Sequence, residues 1–273
     1  MTTRRVLTVL IMALPALWAA LLQGQNATAP AASASAPAAT SAAADPAVMA
    51  ILKLQEDASH KFPCLQWKLD YVVDLLAGDT EARTGFVAVQ LEAANRSAAF
   101  RLHFDTLRLG EGPVRKEPTD YIFDGQWFTS RKEVLKQMIR YQVAPPGQKV
   151  QPLQLGKGPF PLPFGQSADD VLKYFRAFTR PTKADEPKDS LYLRLIVRPD
   201  LPAEEKAKLS VQSLEIWIDK TNGLPVKMTA LDKSDNKSTV IFKDMKTPDN
   251  LPPDTFQLPN PPADWEYRVE TLK

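Results

Sequence analysis

From Cys64 onward, apolar and polar residues alternate along this chain. Leu65, Trp67, Leu69, Tyr71, Val73 and Leu75 form one series; Gln66, Lys68, Asp70 and Asp74 form the other, with Val72 as the exception. Successive side chains leave a pleated ribbon on opposite faces, so this run predicts a half-buried antiparallel strand. The pattern returns after each turn signal. Phe100, Leu102 and Phe104 alternate with Arg101, His103 and Asp105; Leu135, Ile139, Tyr141 and Val143 alternate with Lys136, Arg140 and Gln142. Leu191, Leu193, Leu195 and Val197, then Leu214, Ile216 and Ile218, continue it in the C-terminal third. With turns at Gly78, Asp124-Gly125, Asn222-Gly223 and Asp232–Lys237, the count is about ten antiparallel strands. A sheet this long with one apolar, aromatic-rich face should curl, because strands twist and large open sheets seldom stay flat.

Two stretches break the period. Asp45-Pro46 reads as a helix N-cap followed by proline in the first turn, and Val48, Ile51, Leu52 and Gln55 then fall at helical spacing up to Pro63. Ser167 caps a second predicted helix, Ala168–Phe178, with Val171, Leu172, Tyr174, Phe175 and Phe178 as its apolar stripe. Between 144 and 166, proline and glycine punctuate a loop carrying Phe160, Leu162 and Phe164 as apolar plugs. The fold class is therefore mainly β with two helices (α+β), a curved antiparallel sheet covered by helical elements.

Composition alters this picture at the N-terminus. Arg4 and Arg5 precede an apolar stretch, Val6–Leu22, and Ala27-Thr28-Ala29 fits a signal-cleavage pattern, so residues 1–29 read as an export signal or an uncleaved anchor. Residues 30–44 are Ala, Ser, Thr and Pro, too polar and small to offset chain entropy by burial, and read as a tether. A single domain, 45–273, follows. Of 34 basic residues two lie in the signal, leaving 32 against 32 acidic ones; nothing steers the domain toward nucleic acid. One cysteine, Cys64, excludes an internal disulfide and a cysteine-built metal site.

Catalytic constellations are weak. The chain has two histidines, His60 and His103, and neither a nucleophile elbow, a zinc-binding H-E-x-x-H nor a phosphate loop. His103 lies between Arg101 and Asp105 on the polar face and reads as a surface residue. Asp232, Asp235 and Asn236 lack the glycine and distal glutamate of a calcium loop. No cofactor and no enzymatic activity are expected.

Four stretches resemble the periplasmic lipoprotein-carrier and sorting family of LolA/LolB-like proteins. Arg96-Ser97-Ala98-Ala99-Phe100-Arg101-Leu102 is similar to its arginine-led strand, although Ser97 stands where the family has proline and Leu102 where tryptophan is common. Asp124-Gly125-Gln126-Trp127-Phe128 resembles its D-G hairpin, Ile218–Val226 its acid-turn-G-x-P hairpin, and Phe256-Gln257-Leu258-Pro259 through Pro261-Pro262 and Trp265 its C-terminal ending. The resemblance implies an incomplete β-barrel closed by helices, with a cavity holding the acyl chains of lipids or lipoproteins. It places Trp67, Leu69, Tyr71, Phe100, Leu102 and Phe104 in that cavity, Tyr174, Phe175 and Phe178 on a lid helix, and Arg96 as the residue that locks the lid. It further implies a periplasmic monomer serving envelope membrane proteins that load or accept cargo. A sensor or protein-interaction module using the same groove is the alternative. The inward residues named carry no charge, which predicts recognition by chain length more than by headgroup.

Overall fold

The computed structural model describes residues 45–91, 98–145, 147–148, 155 and 165–272. The expectations for the signal (1–29), the tether (30–44), Arg96 and the plugs Phe160, Leu162 and Phe164 lie outside the described residues. Helix α1, Pro46–Lys61, starts where the Asp45 carboxylate accepts the Ala47 N–H at 2.8 Å, and it buries Val48, Ile51, Leu52 and Ala58. Six strands follow as an uninterrupted meander: β1 (Cys64–Asp74), β2 (Thr80–Gln90), β3 (Ala99–Leu109), β4 (Arg115–Phe123), β5 (Trp127–Lys132) and β6 (Gln137–Gln142). Helix α2 (Ala168–Tyr174) opens a second meander of β7 (Phe175–Arg180), β8 (Ser190–Val197), β9 (Val211–Asp219), β10 (Pro225–Asp232) and β11 (Lys237–Lys246). Helix α3 (Ala203–Lys208) sits between β8 and β9, and β12 (Glu266–Glu270) ends the sheet.

The two meanders become one sheet because β11 returns to pair antiparallel with β1. The order is β12-β6-β5-β4-β3-β2-β1-β11-β10-β9-β8-β7, a curved, open sheet of 12 strands. The expected architecture is thus observed, with more elements than the alternation signalled. Residues expected to finish the second helix belong instead to β7: Phe175 pairs with Val197 and Phe178 with Arg194. A stripe at helical spacing and an alternating strand coincide over so short a run, and the ladder offered by β8 decides between them. Strand β12 carries charge at most of its positions and pairs in parallel with β6, so it shows no apolar alternation. Val134 and Leu135, read as the start of a strand, form an exposed turn in which Lys136 has φ 49°. Arg131 and Lys132, just before that turn, belong to β5.

Two glycines are fixed by close approach. At the bulge between β2 and β3, a Cβ on Gly85 would lie 1.8 Å from the His103 carbonyl oxygen. In the β9–β10 turn, Gly223 has φ +74° and faces α1, where a Cβ would meet the Leu54 carbonyl oxygen at 2.4 Å. That turn is therefore the seat of α1 on the sheet. Gly223→Ala combines left-handed strain with a clash against helix backbone. It should lower stability by about 2 kcal/mol and the melting temperature by about 4–8 °C in calorimetry.

Candidate lipid-binding face

The registers of β1 to β6 set the inner side chains in rows across the sheet. The first row runs Leu65, Val89, Phe100, Phe123, Phe128, Tyr141. The second runs Trp67, Val87, Leu102, Tyr121, Ser130, Ile139. The third is Leu69, Gly85, Phe104, Thr119, Lys132, Gln137, and the fourth begins Tyr71, Arg83, Leu107, Arg115. The face thus grades from aromatic to charged along the strands. Aromatic rings meet at angles that suit their quadrupoles: Trp67 lies edge-on to Phe242 at 5.6 Å, and Phe100 contacts Phe123 at 6.2 Å and Phe128 at 6.4 Å.

Of the predicted cavity residues, Trp67, Leu69, Phe100, Leu102 and Phe104 are buried and Tyr71 is half-buried against Phe104. They share one apolar cluster with Val48, Ile51 and Leu52 of α1, Val171 and Tyr174 of α2, and Phe175. The backbones of α1 and α2 lie against each other and against β7, with α1 also reaching β8. Tyr174 and Phe175 therefore reach the covered side, the first from a helix and the second from a strand. Phe178 does not: it points outward from the edge strand β7 and is 50% exposed. Between α1 and α2 lies a cavity of about 20 Å³ lined by residues including Leu52, Ser59, Leu155 and Val171, room for a water molecule but not for an acyl chain.

The expectation of an uncharged inner face is corrected by the third and fourth rows. Arg83 donates to Glu81 at 2.5 Å and to Glu117 at 3.3 Å, and its guanidinium sits 5.6 Å from the Phe104 ring centroid. Arg115 holds the other carboxylate oxygen of Glu117 at 2.9 Å. Burial depresses the Lys132 ammonium, with repulsion from Arg83 adding to it, and pushes the Tyr121 phenol up to about 12. The apolar alternation along β2, β4 and β5 gives way to polar residues before these positions, so the sequence does not mark them as inward; the signal they do carry is the two-residue period, which places Arg83 in step with Val87 and Lys132 in step with Phe128.

The outer face holds a different polar cluster. Asp120 accepts from Arg101 Nε at 2.8 Å and pairs with His103 Nδ1 at 2.9 Å, while His103 Nε2 meets Asp105 at 3.1 Å. Arg101 also donates to the Thr255 carbonyl at 3.4 Å, and Arg131 lies 4.8 Å from the Trp265 ring centroid. The segment leading to β12 is tied to the outer side of β3 and β5 by these two arginines. His103 is a structural anchor here, with both ring nitrogens engaged.

The fold and its inner face define a half-barrel with helices against one wing, the scaffold that the sequence resemblance implied. No known family model matches the sequence, and no curated protein does. Solved structures do match in fold. Lipoprotein LppX of Mycobacterium tuberculosis shares 13% identity over 77% of this chain and 100% of that one, with TM-score 0.43. LprF from Mycobacterium bovis shares 12% over 77% and 97%, at 0.43. A putative outer membrane lipoprotein-sorting protein domain from Vibrio parahaemolyticus shares 11% over 76% and 95%, at 0.33. Likenesses this slight concern the course of the backbone, and the chemistry of the face has to be read from this chain alone.

The outer cluster generates a pH dependence. The hydrogen bond to Asp120 raises the His103 pKa in the folded state above its unfolded value of ~6.5. Its stabilisation is therefore complete below about pH 6.5 and is lost as pH rises through the raised folded value. Comparing melting temperatures of wild type and His103→Gln should show a larger gap at about pH 5.5 than at about pH 9. An equal gap at both would contradict the charged pairing.

Proposed function

We propose that this chain is an exported, non-enzymatic carrier that holds acyl chains of lipids or lipoproteins against the inner face of its half-barrel. The observation that carries this is the disposition of apolar surface: the aromatic rows span β1 to β6, whereas the helical backbones approach β7 and β8 most closely. Parting α1 and α2 from the sheet would therefore expose a long apolar trough. Such a trough needs a cover in water, and an acyl chain supplies one. Each methylene buried contributes ~0.8 kcal/mol, so ten contribute roughly 8 kcal/mol before association costs. Binding then tightens about fourfold per methylene until the trough is filled.

In this reading Arg96, just ahead of β3, locks the helical lid over the empty trough, and Tyr174 and Phe175 form the lid's inner lining. Membrane proteins of the envelope load and accept the cargo, and the carrier works as a monomer in the periplasm. Two measurements test the scheme. Titrating fluorescent fatty acids of increasing length should give the stepwise gain, and Arg96→Leu should hold the same acids more tightly at unchanged melting temperature. Flat or absent binding across the series would mean that the aromatic rows are ordinary core. Export rests on the basic pair, apolar run and tether at the N-terminus. N-terminal sequencing of protein from an envelope fraction should find a start between about residues 23 and 46. An intact Met1 in the cytoplasm would contradict it.

A further inference from the structure

From the two edges of the sheet we infer a self-association: β7 of one copy of this chain pairs antiparallel with β12 of a second copy, head to tail. Among the described residues, no strand pairs with the far side of either one. The backbone bonds already made determine which groups face outward. Arg198 N–H donates to the Tyr174 carbonyl at 3.0 Å, and Thr179 Oγ1 donates to the Tyr192 carbonyl at 2.7 Å. This phase turns the backbone groups of Arg176, Phe178 and Arg180 toward β8. Alternate residues turn the other way, so the N–H and C=O of Ala177 and Thr179 point away from the sheet. On β12, Glu266 N–H donates to the Lys136 carbonyl at 2.8 Å. Glu266, Arg268 and Glu270 therefore bond to β6, and the N–H and C=O of Tyr267 and Val269 point away.

An antiparallel ladder that uses all of these groups sets Ala177 opposite Val269 and Thr179 opposite Tyr267. The residues between them then have fixed partners. Arg176 meets Glu270, Phe178 meets Arg268, and Arg180 meets Glu266, so both acids of β12 oppose arginines of β7. Arg176 and Glu270 are exposed and held at home by long contacts, 3.9 Å to Asp200 and 3.9 Å to Arg268, which leaves them able to exchange partners. Arg180 and Glu266 are held more closely, Arg180 by Glu186 at 2.6 Å and Glu266 by Arg268 at 2.6 Å and Gln137 at 2.7 Å, so they add less. Phe178, Tyr267 and Val269 are exposed apolar side chains on these same edges and lose water in the ladder. Pairing of like edges is repelled: the equivalent register would set Arg176 against Arg180 in a β7 pair, and Glu266 against Glu270 in a β12 pair. Edge charges commonly prevent unwanted pairing, but edges of opposite sign exclude only like with like. The contact is small, six residues against five, whereas a standard interface has about 20–30 residues a side. The association is therefore weak and reversible, and the dissociated chain remains the carrying unit.

Sedimentation velocity of the full exported protein over a range of concentrations tests this. A head-to-tail contact leaves one β7 and one β12 edge open on every assembly, so the sedimentation coefficient should climb past that of a dimer as concentration rises. Arg176→Glu and Glu270→Arg should each weaken association about tenfold at unchanged melting temperature. An equimolar mixture of these two variants should associate like wild type. Alternating copies would then join the reversed pair at one junction and the native pair at the next. Val269→Pro, which removes an outward N–H without changing charge, should stop the growth as well. Should Val269→Pro fail to fold, the two charge reversals and their mixture decide. A single species at all concentrations would overturn the inference, and so would growth that ends at a dimer. Undiminished association in a folded variant, or a mixture that sediments like its separate components, would also overturn it. Acyl binding enters none of these readouts, so the carrier reading stands or falls separately.

Discussion

The pairing of β1 with β11 is the constraint on which the rest of this structure depends. Strand β1 is bonded on both sides, to β2 along its whole length and to β11 from Gln66 to Asp74. Without the second ladder the chain would be two separate meanders, each with a raw edge in the middle of the molecule. The pairing also sets the faces. A slip of one residue would turn Leu65, Trp67 and Leu69 to the outside and bring Gln66, Lys68 and Asp70 into the cluster with α1. Phe242 opposite Leu69 and Val240 opposite Tyr71 penalise that slip, since both would lose their apolar neighbours. Closing this ladder brings together segments far apart in sequence, so it is an entropically costly contact that only a completed apolar face can offset.

How much of this was legible follows from how strictly each segment alternates. Strands β1, β3, β8 and β9 have an apolar two-residue series and a buried face, and each contains the alternating residues that the sequence marks. The failures sit where local pattern carries little information. Phe175, Phe178 and Val171 satisfy a helical stripe, yet the ladder of β8 takes Phe175–Arg180 as a strand. Strand β12 has no apolar rhythm, because its position is set by Glu266 N–H donating to the Lys136 carbonyl at 2.8 Å and by Lys136 pairing with Asp264 at 2.6 Å. The aromatic part of the candidate face was visible in the sequence. The charged part was hidden, since Arg83 and Lys132 look like loop residues until the register shows them sharing rows with Leu107 and Phe104.

The two faces use charge in opposite ways. Outside, Arg101, held by Asp120, and Arg131 tie a returning segment to strands already joined by backbone ladders. Depression of the Asp120 carboxyl there arises from His103 and Arg101 overcoming the effect of burial. Inside, the charged residues tie nothing distant: Arg83 and Glu81 come from β2 and Glu117 and Arg115 from β4, two strands that backbone bonds already join through β3. Their contribution to holding the fold is correspondingly redundant.

That redundancy bears on why the inner charges are informative. A buried ion pair gains Coulombic energy but loses hydration, and replacing one with apolar side chains of similar volume is often neutral or favourable for stability. On stability alone, the third and fourth rows could continue the aromatic floor of the first two, as Leu107 does within the fourth. They instead place a guanidinium over Phe104 and an ammonium in the row of Thr119, so the inner face keeps a charged end beside its aromatic one with no gain to the fold that apolar side chains could not supply.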